Sequence, residues 1–257
     1  MGDLKFEFTN LKVQESVGSL TLNRPPVNVI NIPMLRELIE ALEVAAGESE
    51  LKVLQLRAEG KLFSAGVDVL DHTADRAEEM IALVEQVCVS LAEFPVPTIA
   101  VVHGHALGGG CELVLCCDMA WMAEGATIGQ PEIKLSALAP LATLLLPPAI
   151  GPRWAAQMLF TGEAVDAKTA EEIGLVNAAV PPGDLDRTVA EVTAQLSSLS
   201  SAASRLNKKS YLVVTRGWKS TMKEINEIYL KELMALEDAQ EGLEAFMEKR
   251  EPVWQNK

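Results

Sequence analysis

"TIAVVHGHALGGGCELVLCCDMAWMA", residues 98–123, opens on a continuous apolar run, the pattern of a strand buried on both faces. A short turn and three consecutive glycines, Gly108, Gly109 and Gly110, lead into an apolar helix that carries Glu112 near its start and Asp118 further in. The first N–H groups of a helix lack intrahelical partners, and the dipole makes that end weakly positive. Glycine at this place lets another group approach the backbone closely. A group that develops negative charge fits there, which is how an oxyanion hole is built. Glu112 in the first turn either faces a substrate beside that anion site or is simply placed favourably against the dipole. A second carboxylate, Glu132 in "GQPEIKL", follows a strand-like stretch, with its local backbone fixed by Pro131. Two carboxylates converging from separate segments divide acid and base duties, because desolvation and mutual repulsion push their titrations apart.

Upstream, "KFEFTNLKVQESVGSLTLNRP" alternates apolar and polar positions around Gly18, predicting a hairpin with one buried face. "IPMLRELIEALEVAAGES" sets Leu35, Leu38, Ile39 and Leu42 at helical spacing, with Gly47 as a stop. The strand "LKVLQLRAEG", the loop opened by Gly60, and the helix "DRAEEMIALVEQVCVSLAEF" then lead to Thr98. Strand, helix, strand, helix, strand predicts crossover connections and a mainly parallel sheet, hence an α/β fold. Beyond about residue 150 the pattern turns helical, with "LVNAAVP" hinting at one short strand. The final stretch from Tyr229, "YLKELMALEDAQEGLEAFMEKREPVW", keeps a 3.6-residue period and contains Gly242, suiting helices that pack on another body.

The 257 residues are enough for one main domain with a smaller appendage. With 22 Lys and Arg against 36 Asp and Glu, the formal charge of -14 opposes binding to a polyanion, so no nucleic-acid partner is expected. No apolar run reaches the ~20 residues that span a bilayer, and the acidic N-terminal stretch is not that of a secretory signal. The expectation is a cytoplasmic protein without a membrane anchor. Cys88, Cys111, Cys116 and Cys117 show no CxxC spacing and no histidine at ligand spacing, which argues for buried thiols and against a zinc site. His72, His103 and His105 read as structural, and Trp218 and Trp254 as packing or subunit contacts.

Common catalytic loops fail on inspection. The dinucleotide fingerprint meets Ala106 two residues after Gly104, a phosphate-cradling Walker loop lacks its Lys after the glycines, and "LFSAG" lacks the Gly that a nucleophile elbow needs before Ser64.

"LFSAGVDV", "ALGGGCELVLCCDMAWMAEGATIGQPEIKL" and "DAQEGLEAFMEKREPV" together closely resemble the enoyl-CoA hydratase/isomerase, or crotonase, superfamily, over nearly the whole chain from "LTLNRPPVNVIN" onward. The resemblance implies a spiral of ββα turns over residues 1–195, a helical oligomerisation region over 196–257, and assembly as homotrimers or homohexamers. It also implies an acyl-CoA substrate, with coenzyme A part of the substrate and no metal or redox cofactor. By position, the amides of Val67 and Gly109 correspond to the oxyanion hole, and Ala65, Asp68, Val69 and Leu70 to the lining of the CoA channel. Family hydratases use two glutamates, matched here by Glu112 for activating water and Glu132 for protonating the carbon beside the carbonyl.

Leu70 stands where many hydratases carry a phosphate-reaching lysine, and "RPPVN" lacks the lysine often found after "RP". Arg24, Lys61 or Lys249 are the substitute cations to consider. After "QPEI", "KLSALAPLATLLLPP" replaces the usual glycine-rich segment. With the short "DVLDHTADRAEEM" loop, it looks most like the cyclohexa-1,5-diene-1-carboxyl-CoA hydratases of anaerobic benzoyl-CoA breakdown. Leu138, Leu141 and Leu144 are the expected acyl lining, which equally suits a linear chain. The rivals are a linear short-chain hydratase, a double-bond isomerase run by Glu132 alone, and an acyl-CoA-binding protein without turnover.

Overall fold

The computed structural model describes residues 3–215 and 219–253; Trp218 and Trp254 lie outside them. Strands β1 (Leu4–Lys5), β2 (Thr9–Gln14) and β3 (Val17–Leu22) form an antiparallel edge. β4 (Val53–Ala58) and β5 (Thr98–Val102) then extend β3 in parallel. β6 (Ala106–Leu107) belongs to a separate small sheet, whereas β7 (Met119–Ala123) continues the large one beside β5. After β8 (Thr127–Gly129) and β9 (Val165–Asp166), which complete the small sheet, β10 (Ala178–Val180) closes the large sheet against β7. The large sheet runs β1-β2-β3-β4-β5-β7-β10 and the small one β6-β8-β9. The predicted hairpin is present, but its turn falls at Glu15 and Ser16, between the paired Gln14 and Val17. Gly18 lies inside β3, where a Cβ would come within 2.9 Å of the Leu54 side chain, so its role is close packing.

Successive turns of the chain repeat one plan. β3 is followed by a bridge residue, Ile30, and by α1 (Ile32–Ala46); β4 by the bridging segment Ser64 to Val67 and by α2 (Ala77–Ala92). β5 is followed by β6 and α3 (Gly109–Leu115). The result is a spiral of ββα turns, as the family pattern implies. Asn31 caps α1 through its side chain, which accepts from Met34 N at 3.0 Å.

Alternation along the parallel strands divides the core. Leu54, Leu56, Ala100, Val102, Ala120 and Met122 join the main cluster with α1 and α2, whereas Val53, Ile99, Val101 and Trp121 face Leu185 and Val189. Those two belong to α7 (Leu185–Ser197), which follows α4 (Pro140–Ile150), α5 (Pro152–Thr161) and α6 (Ala167–Glu172). Both faces of the sheet are therefore covered, which is why β5 and β7 read as nearly continuous apolar runs. Asp118 accepts hydrogen bonds from Thr98 N and Oγ1 at 2.8 and 3.1 Å, fastening the start of β5 beside β7. It also pairs with the buried Lys208 of α8 (Ser201–Thr215), so this carboxylate is structural.

The C-terminal helical texture appears as α8, α9 (Lys219–Glu227) and α10 (Glu237–Glu248). Between α9 and α10 the chain makes a π turn, Ile228–Glu232, and a 3-10 turn, Leu233–Ala235. Among the described residues, no helix is long and apolar enough to cross a membrane, and no cluster of His, Cys, Asp and Glu could hold a metal ion.

Candidate active site

A cavity of about 330 Å³ lies where the second and third spiral turns meet the C-terminal helices. Glu112 and Glu132 both line it. Glu112 is in the first turn of α3, 4% exposed, and its Oε1 accepts from Ala142 N at 3.0 Å. The reason is local: Ala139, at the N-cap of α4, has no side chain able to satisfy the first amides of that helix, and Glu112 does so from across the cavity. Burial pushes the Glu112 carboxyl up to about 7, against the opposing pull of the Ala142 and Leu141 amides.

Glu132 begins a 3-10 turn, Glu132–Leu135, directly after Pro131. Burial, and next the charge of Glu112, push it up to about 8. The buried Gln130 amide lies 3.1 Å from both Glu132 oxygens, and with its nitrogen turned toward them it donates to the carboxylate. Both carboxyls therefore hold a proton more readily than free ones do, and the added charge of Glu112 on Glu132 favours Glu132 as the acid and Glu112 as the base.

The two backbone donors follow from pairing and from helix geometry. Val67 bridges Ile30 in parallel, with Ile30 N donating to Gly66 O and Asp68 N to Ile30 O. Its own N–H thus points away from that partner, toward the cavity that Val67 lines. Gly109, first residue of α3, also lines the cavity, and its N–H precedes any intrahelical bond. Among the described residues neither amide has a hydrogen-bond acceptor. A Cβ on Gly109 would meet Val67 Cγ2 at 2.7 Å and Val67 N at 3.4 Å, so glycine is what lets the two segments come together. Gly108 takes φ +53 and ψ -127, and a Cβ there would stand 2.6 Å from Glu132 Oε1.

Of the remaining expected residues, Ala65 and Val69 line the cavity, and Asp68 and Leu70 do not. Val69–His72 is a 3-10 turn, in which residues three apart share a face. Val69 and His72 consequently face the cavity, while Leu70 is 55% exposed. Asp68 caps that turn, accepting from Leu70 N at 3.2 Å, and pairs with Arg24 at 3.2 Å. Arg24, which also donates to Val29 O at 2.8 Å, is thereby committed to the fold. The lysine on the cavity wall is Lys134, half exposed and paired with Glu163, which the sequence reading passed over. Leu138 and Leu141 line the cavity as expected, whereas Leu144 packs against the core.

His103 and His105 are structural, bonded to Gly60 O at 3.1 Å and to Thr127 N at 2.9 Å. His72 holds Asp68 O at 2.9 Å, and burial lowers its pKa, favouring the neutral ring. Met222, Tyr229, Leu243 and Phe246 bring the C-terminal helices into the cavity wall. Tyr229 is buried, and no spacing signal in the sequence marked it.

The pattern of the enoyl-CoA hydratase/isomerase family matches residues 12–257. The chain belongs to this family. Among relatives of this enoyl-CoA hydratase/isomerase, the cyclohexa-1,5-dienecarbonyl-CoA hydratase of Thauera aromatica is 31% identical over 94% of each chain. A crotonyl-CoA hydratase of Syntrophomonas wolfei subsp. wolfei is 33% identical over 96% of this chain and 97% of its own. The crystal structure of an enoyl-CoA hydratase from Mycobacterium avium subsp. paratuberculosis K-10 superposes with a TM-score of 0.88 at 26% identity, covering 98% of this chain and 100% of that one. The fold is that of the crotonase superfamily, and the enzyme class is an enoyl-CoA hydratase-type hydro-lyase.

Proposed function

We propose that this enzyme adds water to a double bond conjugated with a CoA thioester, with Glu112 as general base and Glu132 as general acid. The Glu112 carboxylate takes a proton from water as its oxygen bonds to the β-carbon. The electron pair of the double bond moves toward the thioester, and charge gathers on an oxygen held by the Val67 and Gly109 amides. Glu132 then gives its proton to the α-carbon. Proton transfer from Glu112 to Glu132 restores the starting pair. Every step is a proton transfer or an addition, so the chemistry calls for no metal and no redox group.

The reading is carried by one observation: two buried carboxyl groups, both pushed up by burial, share a cavity with two amides that, among the described residues, lack acceptors. The preferred acyl group is a cyclic diene, cyclohexa-1,5-diene-1-carboxyl-CoA. The Thauera aromatica relative and the apolar wall of Met80, Ile81, Val84, Leu138 and Leu141 support that choice. Lys134 supplies a cation at the cavity for the CoA moiety. The exposed Leu206, Tyr211 and Val213 of α8 provide apolar surface for assembly as a trimer or hexamer.

Turnover of cyclic dienoyl-CoA, cyclic monoenoyl-CoA and crotonyl-CoA, measured side by side, tests the substrate. Preference for the diene supports the proposal. Preference for crotonyl-CoA overturns the ring substrate and leaves the hydratase, and turnover of none overturns the hydratase.

The pH profile of kcat/KM is expected to be a narrow bell with its maximum between about 7 and about 8. Below that range Glu112 gains a proton and ceases to be a base. Above it Glu132 loses its proton and ceases to be an acid. A flat profile from pH 6 to 9 would contradict the assignment.

A further inference from the structure

We propose that Tyr229 determines specificity for the hydroxylated partner of the reaction, donating its phenolic hydrogen to the hydroxyl that hydration installs on the acyl group. The inference rests on the hydratase reading above and assigns one more residue to the same cavity.

Tyr229 belongs to the single π turn described between α9 and α10, Ile228–Glu232. Such turns widen a helix by one residue and occur mostly as isolated bulges, often at functional sites. Here Ile228 stays 41% exposed, while the Tyr229 side chain is 1% exposed and reaches the cavity lined by Glu112 and Glu132. Buried phenol hydroxyls ordinarily find a hydrogen-bond partner. Among the described residues the Tyr229 hydroxyl makes no hydrogen bond, and its oxygen is not one of the sealed buried atoms without a partner, which are Ser197 Oγ and Asn226 Oδ1; the residue forms part of the cavity wall. A phenylalanine would supply the same ring to the wall. The oxygen is thus the feature to explain, and the cavity is the side from which an acceptor can come.

Burial first, then the charges of Glu132 and Glu112, hold the phenol above its ordinary titration range, so it remains a donor throughout the working pH. The carboxylates also identify the part of the ligand within its reach. They flank the reacting double bond, where the unsaturated thioester offers no oxygen of its own, whereas its hydrated partner carries a hydroxyl. A donor there binds the hydroxyacyl-CoA better than the enoyl-CoA, and it acts in the transition state as the C–O bond forms.

Tyr229→Phe is therefore expected to raise KM for the hydroxyacyl-CoA in dehydration by about tenfold with kcat nearly unchanged. In hydration it should lower kcat by a similar factor with KM for the enoyl-CoA nearly unchanged. The two effects are linked, because the overall equilibrium constant fixes the ratio of kcat/KM values in the two directions. A packing role would move both KM values together. Calorimetric titration of the same variant supplies a second readout. Affinity for the hydroxyacyl-CoA should fall by about tenfold, while affinity for a saturated acyl-CoA, which brings no such hydroxyl, should stay the same. Parallel changes for both ligands, or no change for either, would overturn the role of Tyr229. Wild-type enzyme that fails to interconvert the pair would overturn the hydratase reading alone, because the titration would still report on Tyr229.

Discussion

Glu112→Gln is expected to lower kcat for hydration by roughly 10²- to 10⁴-fold, the range for removing a positioned general base. The amide keeps an oxygen to accept from Ala142 N, so the start of α4 stays capped and KM changes little. The same substitution should stabilise the fold at alkaline pH. A carboxyl raised to about 7 in the folded chain binds more protons there than in the unfolded chain, between its ordinary value and about 7. Stability contributed by this group therefore falls as pH rises through that interval, and Gln has no such dependence. Thermal unfolding should give a higher Tm for Glu112→Gln than for wild type at pH 8, with the difference narrowing at pH 5. Unchanged hydration would remove Glu112 from the mechanism. An equal Tm difference at both pH values would remove the titration argument.

Gly108→Ala should cost kcat about 10²-fold, because displacement of a reacting group by about 1 Å is sufficient for a loss of that size. Two causes act together. The alanine would have to hold φ +53 and ψ -127, and its Cβ would meet Glu132 Oε1 at 2.6 Å. Gly125→Ala separates them, since Gly125 also has a positive φ, +86, but a Cβ there meets nothing within 4 Å. That control should lose stability through backbone strain, about 1 kcal/mol or more, and keep its hydration rate. If Gly108→Ala retains wild-type kcat, the position of Glu132 is not what the glycine protects.

The parallel strands were legible because both of their faces are buried, and the helices because their apolar stripes face one way. The hairpin turn was misplaced since a glycine in an alternating strand reads as a turn, whereas Gly18 answers to the Leu54 side chain on the neighbouring strand. Glu112 and Glu132 were legible from the glycine-to-helix transition and the family pattern. The family pattern also supplied their roles as base and acid; what it did not supply is the physical cause, burial and, for Glu132, the charge of Glu112, which are tertiary properties. Asp68 and Leu70 fall outside the cavity lining, because positions in a motif do not reveal which way a 3-10 turn faces its side chains. Tyr229 was hidden for a related reason. Its stretch keeps an apolar period of 3.6 residues, and that period gives no sign of the π turn that brings the phenol to the cavity.

The most direct test of paired carboxyl catalysis is a double-mutant cycle on kcat/KM for hydration, comparing Glu112→Gln, Glu132→Gln and the double variant. Groups that act as a unit are strongly non-additive, so the double variant should be within about tenfold of the worse single variant. Wild-type hydration in either single variant, or losses that multiply in the double, would contradict it.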